Sequence, residues 1–430
     1  MKSIVFVDDE PALLEGLRVR LYKHRHDWAM KFLADGAHAI AEFEKNRVDL
    51  IVSDVRMPGM GGGQLLSIVK ERWPATIRII LSGYADASQA LRLASVAHQY
   101  VAKPCNAEEI ENVIERCFLL QELLGSDSLR GIVGRIGRLP ATPKVYARLQ
   151  TALAAPDVTA DDIGRIVNAD AAIAGKVLQI TNSAFFRLRK PIVRIKDAVT
   201  YLGFATIRNL VMSAEIFAEW KMPAVLSGEV DPEHLQRHAQ LTAQACKSLA
   251  SGEVSPDDAW LAGLVHDIGY RVLVLECPED LKRAIVLSQA HGQPLIQCEK
   301  EIIGATHAEI GAYLLGLWGL PYAIVEAVAL HHTPDIVPPH GFDLLATLAV
   351  SHSLLEPSVA AELNANSMTK SAGSGLEHRE RGGPQGEGAG APSTAPSGVD
   401  AAYFSSLNAP FDLTEAQRRV RLSVSPESVS

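Results

Sequence analysis

Short, uninterrupted apolar runs set far apart, each followed by a residue that can carry chemistry, constrain this chain more than any other feature. Lys2–Val7, Val48–Ser53 and Ile77–Leu81 are such runs, and Gln99–Ala102 is a shorter one. Between the first two, Pro11–Tyr22 carries a helical stripe of Leu13, Leu14, Leu17 and Leu21. Apolar strands separated by amphipathic helices predict a parallel sheet covered on both faces, since a strand exposed on one side would alternate with polar residues. In doubly wound folds of this kind, reactive groups gather at the carboxyl ends of the strands. The residues found there are Asp8 and Asp9, Asp54, Ser82, and Lys103 before Pro104. Taken alone, an Asp pair reads as a helix cap and a Lys-Pro as a turn. In this order, the five positions are expected to converge. Three carboxylates at one point repel unless a divalent cation neutralises them, and hard oxygen ligands suit Mg²⁺. Together with the Lys103 ammonium, that ion would stabilise a transferring phosphoryl group, with Asp54 as the nucleophile that becomes an acyl phosphate.

The motifs Val7-Asp8-Asp9-Glu10, Ser53-Asp54-Val55-Arg56-Met57-Pro58-Gly59-Met60, Leu81-Ser82-Gly83-Tyr84 and Ala102-Lys103-Pro104 resemble those of response-regulator receiver domains, over residues 1–120. The resemblance implies a flavodoxin-like α/β fold with a five-stranded parallel sheet. It implies that Asp9 and Asp54 bind Mg²⁺ directly, joined by the Arg56 carbonyl, with Asp8 assisting through water. It further implies that Asp54 is phosphorylated by a partner histidine kinase, that Ser82 is the switch hydroxyl, Tyr100 the switch aromatic and Lys103 the phosphoryl partner, and that the Lys103–Pro104 bond is cis. Gly61 departs from the pattern, standing where an acid is common.

Residues 121–130 read as a linker, and 131–357 as an almost entirely helical domain with apolar residues at three- and four-residue intervals. Thr206–Trp220 and Pro256–Leu275 are each expected to be one helix. Residues 358–430 read as a mostly disordered tail. Positions 364–400 in particular have almost no large apolar residue to offset chain entropy. Phe404–Val424 has amphipathic character and reads either as a short docking helix or as part of a mobile tail. Deletion of 364–430 is expected to leave both domains folded.

The helical half contains Gly263-Leu264-Val265-His266-Asp267-Ile268-Gly269, with His238, His307, His331, His332 and His352 around it. Imidazole and carboxylate together suit iron, manganese or zinc, and a metal pair can activate water against a phosphodiester. The bland reading is that these histidines are structural. Leu139-Pro140-Ala141-Thr142-Pro143, Asn182-Ser183-Ala184-Phe185-Phe186, Ala198-Val199-Thr200-Tyr201-Leu202-Gly203 and Leu315-Gly316-Leu317-Trp318-Gly319-Leu320-Pro321 resemble the HDOD family, a relative of the HD metal phosphohydrolases. Against the related HD-GYP cyclic-di-GMP phosphodiesterases, His238, His266, Asp267, His307, His331 and His332 fall at metal-ligand positions. His352 stands where an aspartate belongs, Tyr270 replaces a lysine, and Thr333-Pro334 follows His331-His332 in place of Gly-Tyr-Pro. Two outputs stay open: a regulatory module that binds a protein or small regulator, and a phosphorylation-gated metal phosphodiesterase acting on a cyclic dinucleotide.

Bulk properties narrow the partners. The formal charge of −9 gives no basic face for nucleic acid. The five cysteines show no paired spacing, which points to reduced thiols and a cytoplasmic setting. No apolar run approaches the ~18 residues that span a bilayer. A homodimer is compatible with the sequence but not selected by it.

Overall fold

The computed structural model describes residues 1–83, 93–105, 107–124, 126–136, 139–141, 143–155, 157–184, 186, 188, 190–212, 217–219, 222–337, 341–355 and 413–424. Tyr84, Thr142 and Phe185 of the motifs, and positions 364–400, lie outside the described residues. The chain divides into two compact units, Met1–Gln240 with Leu264–Ala329, and Leu241–Gly263 with Leu330–Ser430.

The first unit begins with a five-stranded sheet of order β2-β1-β3-β4-β5, formed by β1 (Lys2–Val7), β2 (Trp28–Leu33), β3 (Leu50–Asp54), β4 (Ile77–Gly83) and β5 (Gln99–Lys103). Every pairing is parallel. Because β1 lies between β2 and β3, the order reverses there, and the crevice at that reversal is where such sheets bind ligands. Asp8 and Asp54 sit at the ends of these two strands. The helix Pro11–Leu21 starts on a proline and buries Leu14, Leu17 and Leu21, with Leu13 half-buried beside them. Gly62 opens the helix Gly62–Arg72 directly under the Asp54 carbonyl. A Cβ there would lie 1.9 Å from that oxygen, so the position admits only glycine.

Two helices, Ala107–Leu124 and Asp127–Arg135, occupy the stretch expected to be a linker. The second is capped by Ser126, whose side chain accepts from Leu129 N. It packs closely on the first domain: a Cβ on Gly134 would lie 1.6 Å from the Pro74 carbonyl. Arg78, fully buried in β4, donates to the carbonyls of Gly134 (2.7 Å), Val96 (2.7 Å), Thr76 (3.0 Å) and Pro74 (3.2 Å). A buried guanidinium is tolerable only when its donors are met in this way.

Beyond it the fold is helical, with two departures from expectation. Phe217–Glu219 is a strand paired in parallel with Leu139–Ala141, so Thr206–Trp220 is not one helix. The helix Ile195–Met212 ends short of it and is kinked at Gly203, whose φ of 76° favours glycine. Pro256–Leu275 is split into Pro256–Val265 and Ile268–Glu276, with His266 and Asp267 at the junction. Leu295–Ile303 is a further helix that periodicity did not single out.

The helix Ala171–Thr181 is buried along its whole length, including Lys176. The Lys176 ammonium donates to Gln179 Oε1 at 2.8 Å and lies 5.0 Å from the Trp318 ring. Burial, reinforced by Lys70, lowers its pKa to about 7. Between pH 7 and the ordinary lysine value, the unfolded chain holds this proton and the folded chain does not. The Lys176 contribution to stability therefore rises with pH across that window. Lys176→Met is expected to raise the urea midpoint at pH 7, with a gain in unfolding free energy on the order of a few kcal/mol, and the gain should shrink as pH approaches 10.5. A gain independent of pH would contradict this account.

In the second unit, Gly263 lets two helices meet, since a Cβ there would lie 2.6 Å from Ala243 Cα. A helix over 344–355 and the C-terminal helix Leu413–Ser423 complete a small core of Ala245, Leu249, Ala346, Ala349, Val350, Leu355, Ala416 and Val420. Arg419 also donates to the Ser248 carbonyl. Part of the stretch expected to be a loose tail is thus packed helix, and deletion of 364–430 would uncover this core. Among the described residues, no helix is long and apolar enough to cross a membrane, and none of the five cysteines forms a disulfide.

Candidate functional site

At the carboxyl end of the sheet, Lys103 Nζ contacts Asp8 Oδ2 at 2.7 Å and Asp54 Oδ1 at 2.6 Å. Two backbone amides hold the remaining oxygens: Glu10 N donates to Asp8 Oδ1, and Arg56 N to Asp54 Oδ2, both at 2.9 Å. Asp8 is buried, Asp54 is 7 % exposed, and Asp9 is exposed. Burial raises the pKa of Asp54 above the usual carboxylate value, although Lys103 pulls the other way. Burial acts to lower that of Lys103, but hydrogen bonds to Asp54 and Asp8 outweigh it and the pKa is raised. The peptide bond from Lys103 to Pro104 is cis.

Ser82 pairs in register with Ala102, and Tyr100 with Ile80. Both are buried, and among the described residues neither the Ser82 Oγ nor the Tyr100 hydroxyl has a hydrogen-bond partner. A buried hydroxyl left this way costs about 1–3 kcal/mol. Burial also pushes the Tyr100 phenol pKa up.

A second cluster lies in the helical part of the first unit. Its centre is the junction between Pro256–Val265 and Ile268–Glu276. His266 Nε2 faces His238 Nε2 at 3.3 Å and Asp267 Oδ2 at 3.2 Å, while His238 Nε2 lies 3.6 Å from the same oxygen. His307 Nε2 is 3.5 Å from Asp267 Oδ1. Gly269 permits this approach, since a Cβ there would lie 1.9 Å from the His307 carbonyl. Burial alone would raise the Asp267 pKa, but His266, His307 and His238 hold it well below the carboxylate range. Burial lowers that of His238 to about 4.

Spacing alone did not reveal what supports this cluster. Glu299, fully buried, accepts from the His307 backbone N–H and pairs with Nδ1, both at 2.8 Å, which leaves Nε2 aimed at Asp267. A carboxylate behind a ligand imidazole is the usual way such a ring is oriented. The Tyr270 ring stacks on His307 at 4.0 Å, and does not act as a cation. Arg271 Nη1 donates to both carboxylate oxygens of the buried Asp170 at 3.2 Å, and Nη2 donates to Gln236 Oε1. Asp267 and Arg271 line a small cleft with Ala171, Leu235, Ala239, Leu264 and Ile268.

Of the seven residues grouped by sequence, His238, His266, Asp267 and His307 come together in the first unit. His331, His332 and His352 come together in the second, with ring centroids 4.2–5.1 Å apart.

The response regulator receiver domain family matches residues 4–115, and the HDOD domain family matches 139–334. An uncharacterized protein of Treponema pallidum (strain Nichols) is 26 % identical over 224 residues, 51 % of this chain and 43 % of its own length. The hydrogenase transcriptional regulatory protein HoxA of Cupriavidus necator is 30 % identical over 125 residues, 29 % of this chain and 25 % of its own length. The chain thus spans less than half of either of these curated relatives. The solved structure of the MmoQ response regulator from Methylococcus capsulatus str. Bath is 23 % identical, covers 54 % of this chain and 92 % of that one, and has a TM-score of 0.44. With an N-terminal five-stranded parallel sheet and a helical C-terminal part, each matched to its family, the chain carries a response regulator receiver domain followed by an HDOD domain.

Proposed function

We propose that Asp54 accepts a phosphoryl group from a partner histidine kinase in the cytoplasm, and that this controls the HDOD domain as a regulatory binding module. The observation that carries the reading is the Lys103 ammonium bridging the carboxylates of Asp8 and Asp54. The receiver spans 1–120 and the output 131–357. The donor set is all oxygen, with Asp9 exposed beside it, and it fits Mg²⁺ held by Asp8, Asp9, Asp54 and the Arg56 carbonyl. When bound, the ion neutralises the carboxylates and the incoming phosphoryl oxygens. An Asp54 oxygen attacks phosphorus, the bond to the donor breaks, and an aspartyl phosphate forms. Lys103 pairs with the transferred group, and the unpartnered Ser82 hydroxyl is in place to donate to one of its oxygens. Incubation of the intact protein with acetyl phosphate and Mg²⁺, followed by mass spectrometry, tests this. One added phosphoryl group mapping to Asp54 is expected; a label elsewhere would overturn the reading.

One observation favours a metal in the output domain as well. Two imidazole nitrogens and a carboxylate oxygen face one another within 3.6 Å, a separation that suits adjacent ligands of one transition-metal ion such as iron or manganese. The same site would carry the phosphodiesterase reading, with a cyclic dinucleotide as substrate. The binding role is favoured because the cation position is not refilled among the described residues: Tyr270 stacks on His307, and Arg271 is held by Asp170. Anaerobic metal analysis is expected to find about one iron or manganese per chain, lost in His266→Ala and Asp267→Ala, with no nucleotide turnover. Turnover abolished by the same variants would establish the enzyme instead.

A further inference from the structure

The helix Pro11–Leu21 runs into a short 3-10 turn, Tyr22–His24, and that turn faces the helix Ala107–Leu124. His24 Nε2 lies 2.7 Å from Glu111 Oε1 and 3.9 Å from Glu115 Oε1. Glu111 and Glu115 stand about one turn apart on their helix, so both carboxylates project from one face. One ligand atom from each of the three residues lies within 4.8 Å of the others. Lys23 Nζ sits 2.6 Å from the same Glu111 oxygen.

The imidazole is held in place by the core. Its ring stacks on the buried Trp28 at 4.1 Å, 14° from parallel. Trp28 in turn meets Phe118 edge-on at 6.0 Å, and Phe118 belongs to the helix that carries the two glutamates. The side chains of His24 and Glu111 are 17 % and 12 % exposed, while Glu115 is half-exposed. Ion pairing accounts for Lys23 beside Glu111. The imidazole adds what an ion pair does not need and a metal does, a nitrogen donor of fixed direction. Glu108, Glu109 and Glu122 share this helix with a single cation, Arg116, so the field around the cluster favours positive charge.

One nitrogen and two carboxylate oxygens make a three-ligand set of the zinc class, with the exposed side of Glu115 leaving a fourth position to water. Tetrahedral ligands at about 2.0–2.1 Å from an ion lie about 3.4 Å from one another. The two separations measured from Nε2 bracket that value. Mg²⁺, which prefers an octahedron of oxygens, is poorly served by an imidazole and two carboxylates.

We propose that His24, Glu111 and Glu115 bind a zinc-class divalent ion, and that Lys23 is the resident cation which the ion displaces from Glu111. The site pins the turn after Pro11–Leu21 to the helix Ala107–Leu124. It shares no residue with the Asp54 constellation or with the His266–Asp267 cluster.

The test uses the intact protein in excess Mg²⁺, titrated with Cu²⁺ and followed by tryptophan fluorescence, with Zn²⁺ as competitor. Cu²⁺ at His24 Nε2 quenches the adjoining Trp28. A quenched component that Zn²⁺ restores is expected, and Trp28→Phe should lack it. His24→Gln should abolish it, and Glu115→Gln, at a half-exposed position, should weaken Zn²⁺ about tenfold or more. Lys23→Met should tighten Zn²⁺, because the competing ammonium is gone. Metal at the output histidines gives a background that these variants leave unchanged. The same Zn²⁺-reversible quenching in wild type, His24→Gln and Glu115→Gln would overturn the site. Weaker binding in Lys23→Met would overturn the displacement, and quenching relieved by Mg²⁺ alone would overturn the zinc-class assignment.

Discussion

Asp54→Asn is expected to abolish Mg²⁺-dependent labelling by acetyl phosphate while leaving the protein at least as stable as the wild type. The side chain keeps its shape and can still accept the Arg56 amide hydrogen bond, but an amide oxygen does not form the acyl phosphate. Stability should not fall, for an electrostatic reason. Burial raises the Asp54 pKa in the folded state, so the unfolded chain ionises this group first. A carboxyl of raised pKa loses stability as pH climbs past its unfolded value, and a neutral amide removes that loss. Lys103 retains Asp8 as a partner at 2.7 Å. Intact-mass labelling and a urea curve at pH 7.5 check both halves. Residual labelling in a fully folded variant would move the nucleophile elsewhere.

Asp170→Ala is expected to cost about 3–5 kcal/mol, the usual penalty for leaving one member of a buried ion pair uncompensated. Arg271 loses its carboxylate partner at a site with almost no access to water. The helix Ala171–Thr181 loses its cap at the same time, since Asp170 accepts from the amides of Ala172 and Ile173 at 2.8 and 3.1 Å. That second loss amounts to about 0.5–2 kcal/mol. Urea denaturation of Asp170→Ala, Arg271→Met and the double variant separates the parts. The double variant should be clearly more stable than the sum of the single losses implies, because no lone charge stays buried. Additive losses would mean that the pair is not coupled as its geometry indicates.

What could be read in the sequence depended on whether the signal was local. Strands β1, β3, β4 and β5 stood out because each is covered on both faces and so lacks polar alternation. Strand β2, at the other end of the sheet, buries only Trp28 fully and carries Lys31, and it escaped notice. The break at His266 and Asp267 was invisible because apolar residues run through both flanking helices, leaving no periodic signal to falter. Asp8, Asp54 and Lys103 could be grouped because the order of strands brings their ends together. Glu299, Asp170 and Gln99 could not. Their roles depend on partners up to 218 residues away, and no spacing rule encodes such a meeting. Residue type assembled the histidine list, while which of its rings face Asp267 is a product of the fold.

The helix Leu413–Ser423 bears on how the protein is handled at the bench. Fragments ending near position 355 would strip Ala416 and Val420 from the cluster that also holds Ala245, Leu249, Ala346, Ala349 and Val350. Such a preparation invites self-association through strangers' helices, and its oligomeric state would report the scissors and not the biology. Expression designs that drop the intervening stretch should rejoin Leu413–Ser423 by a spacer long enough to reach its seat.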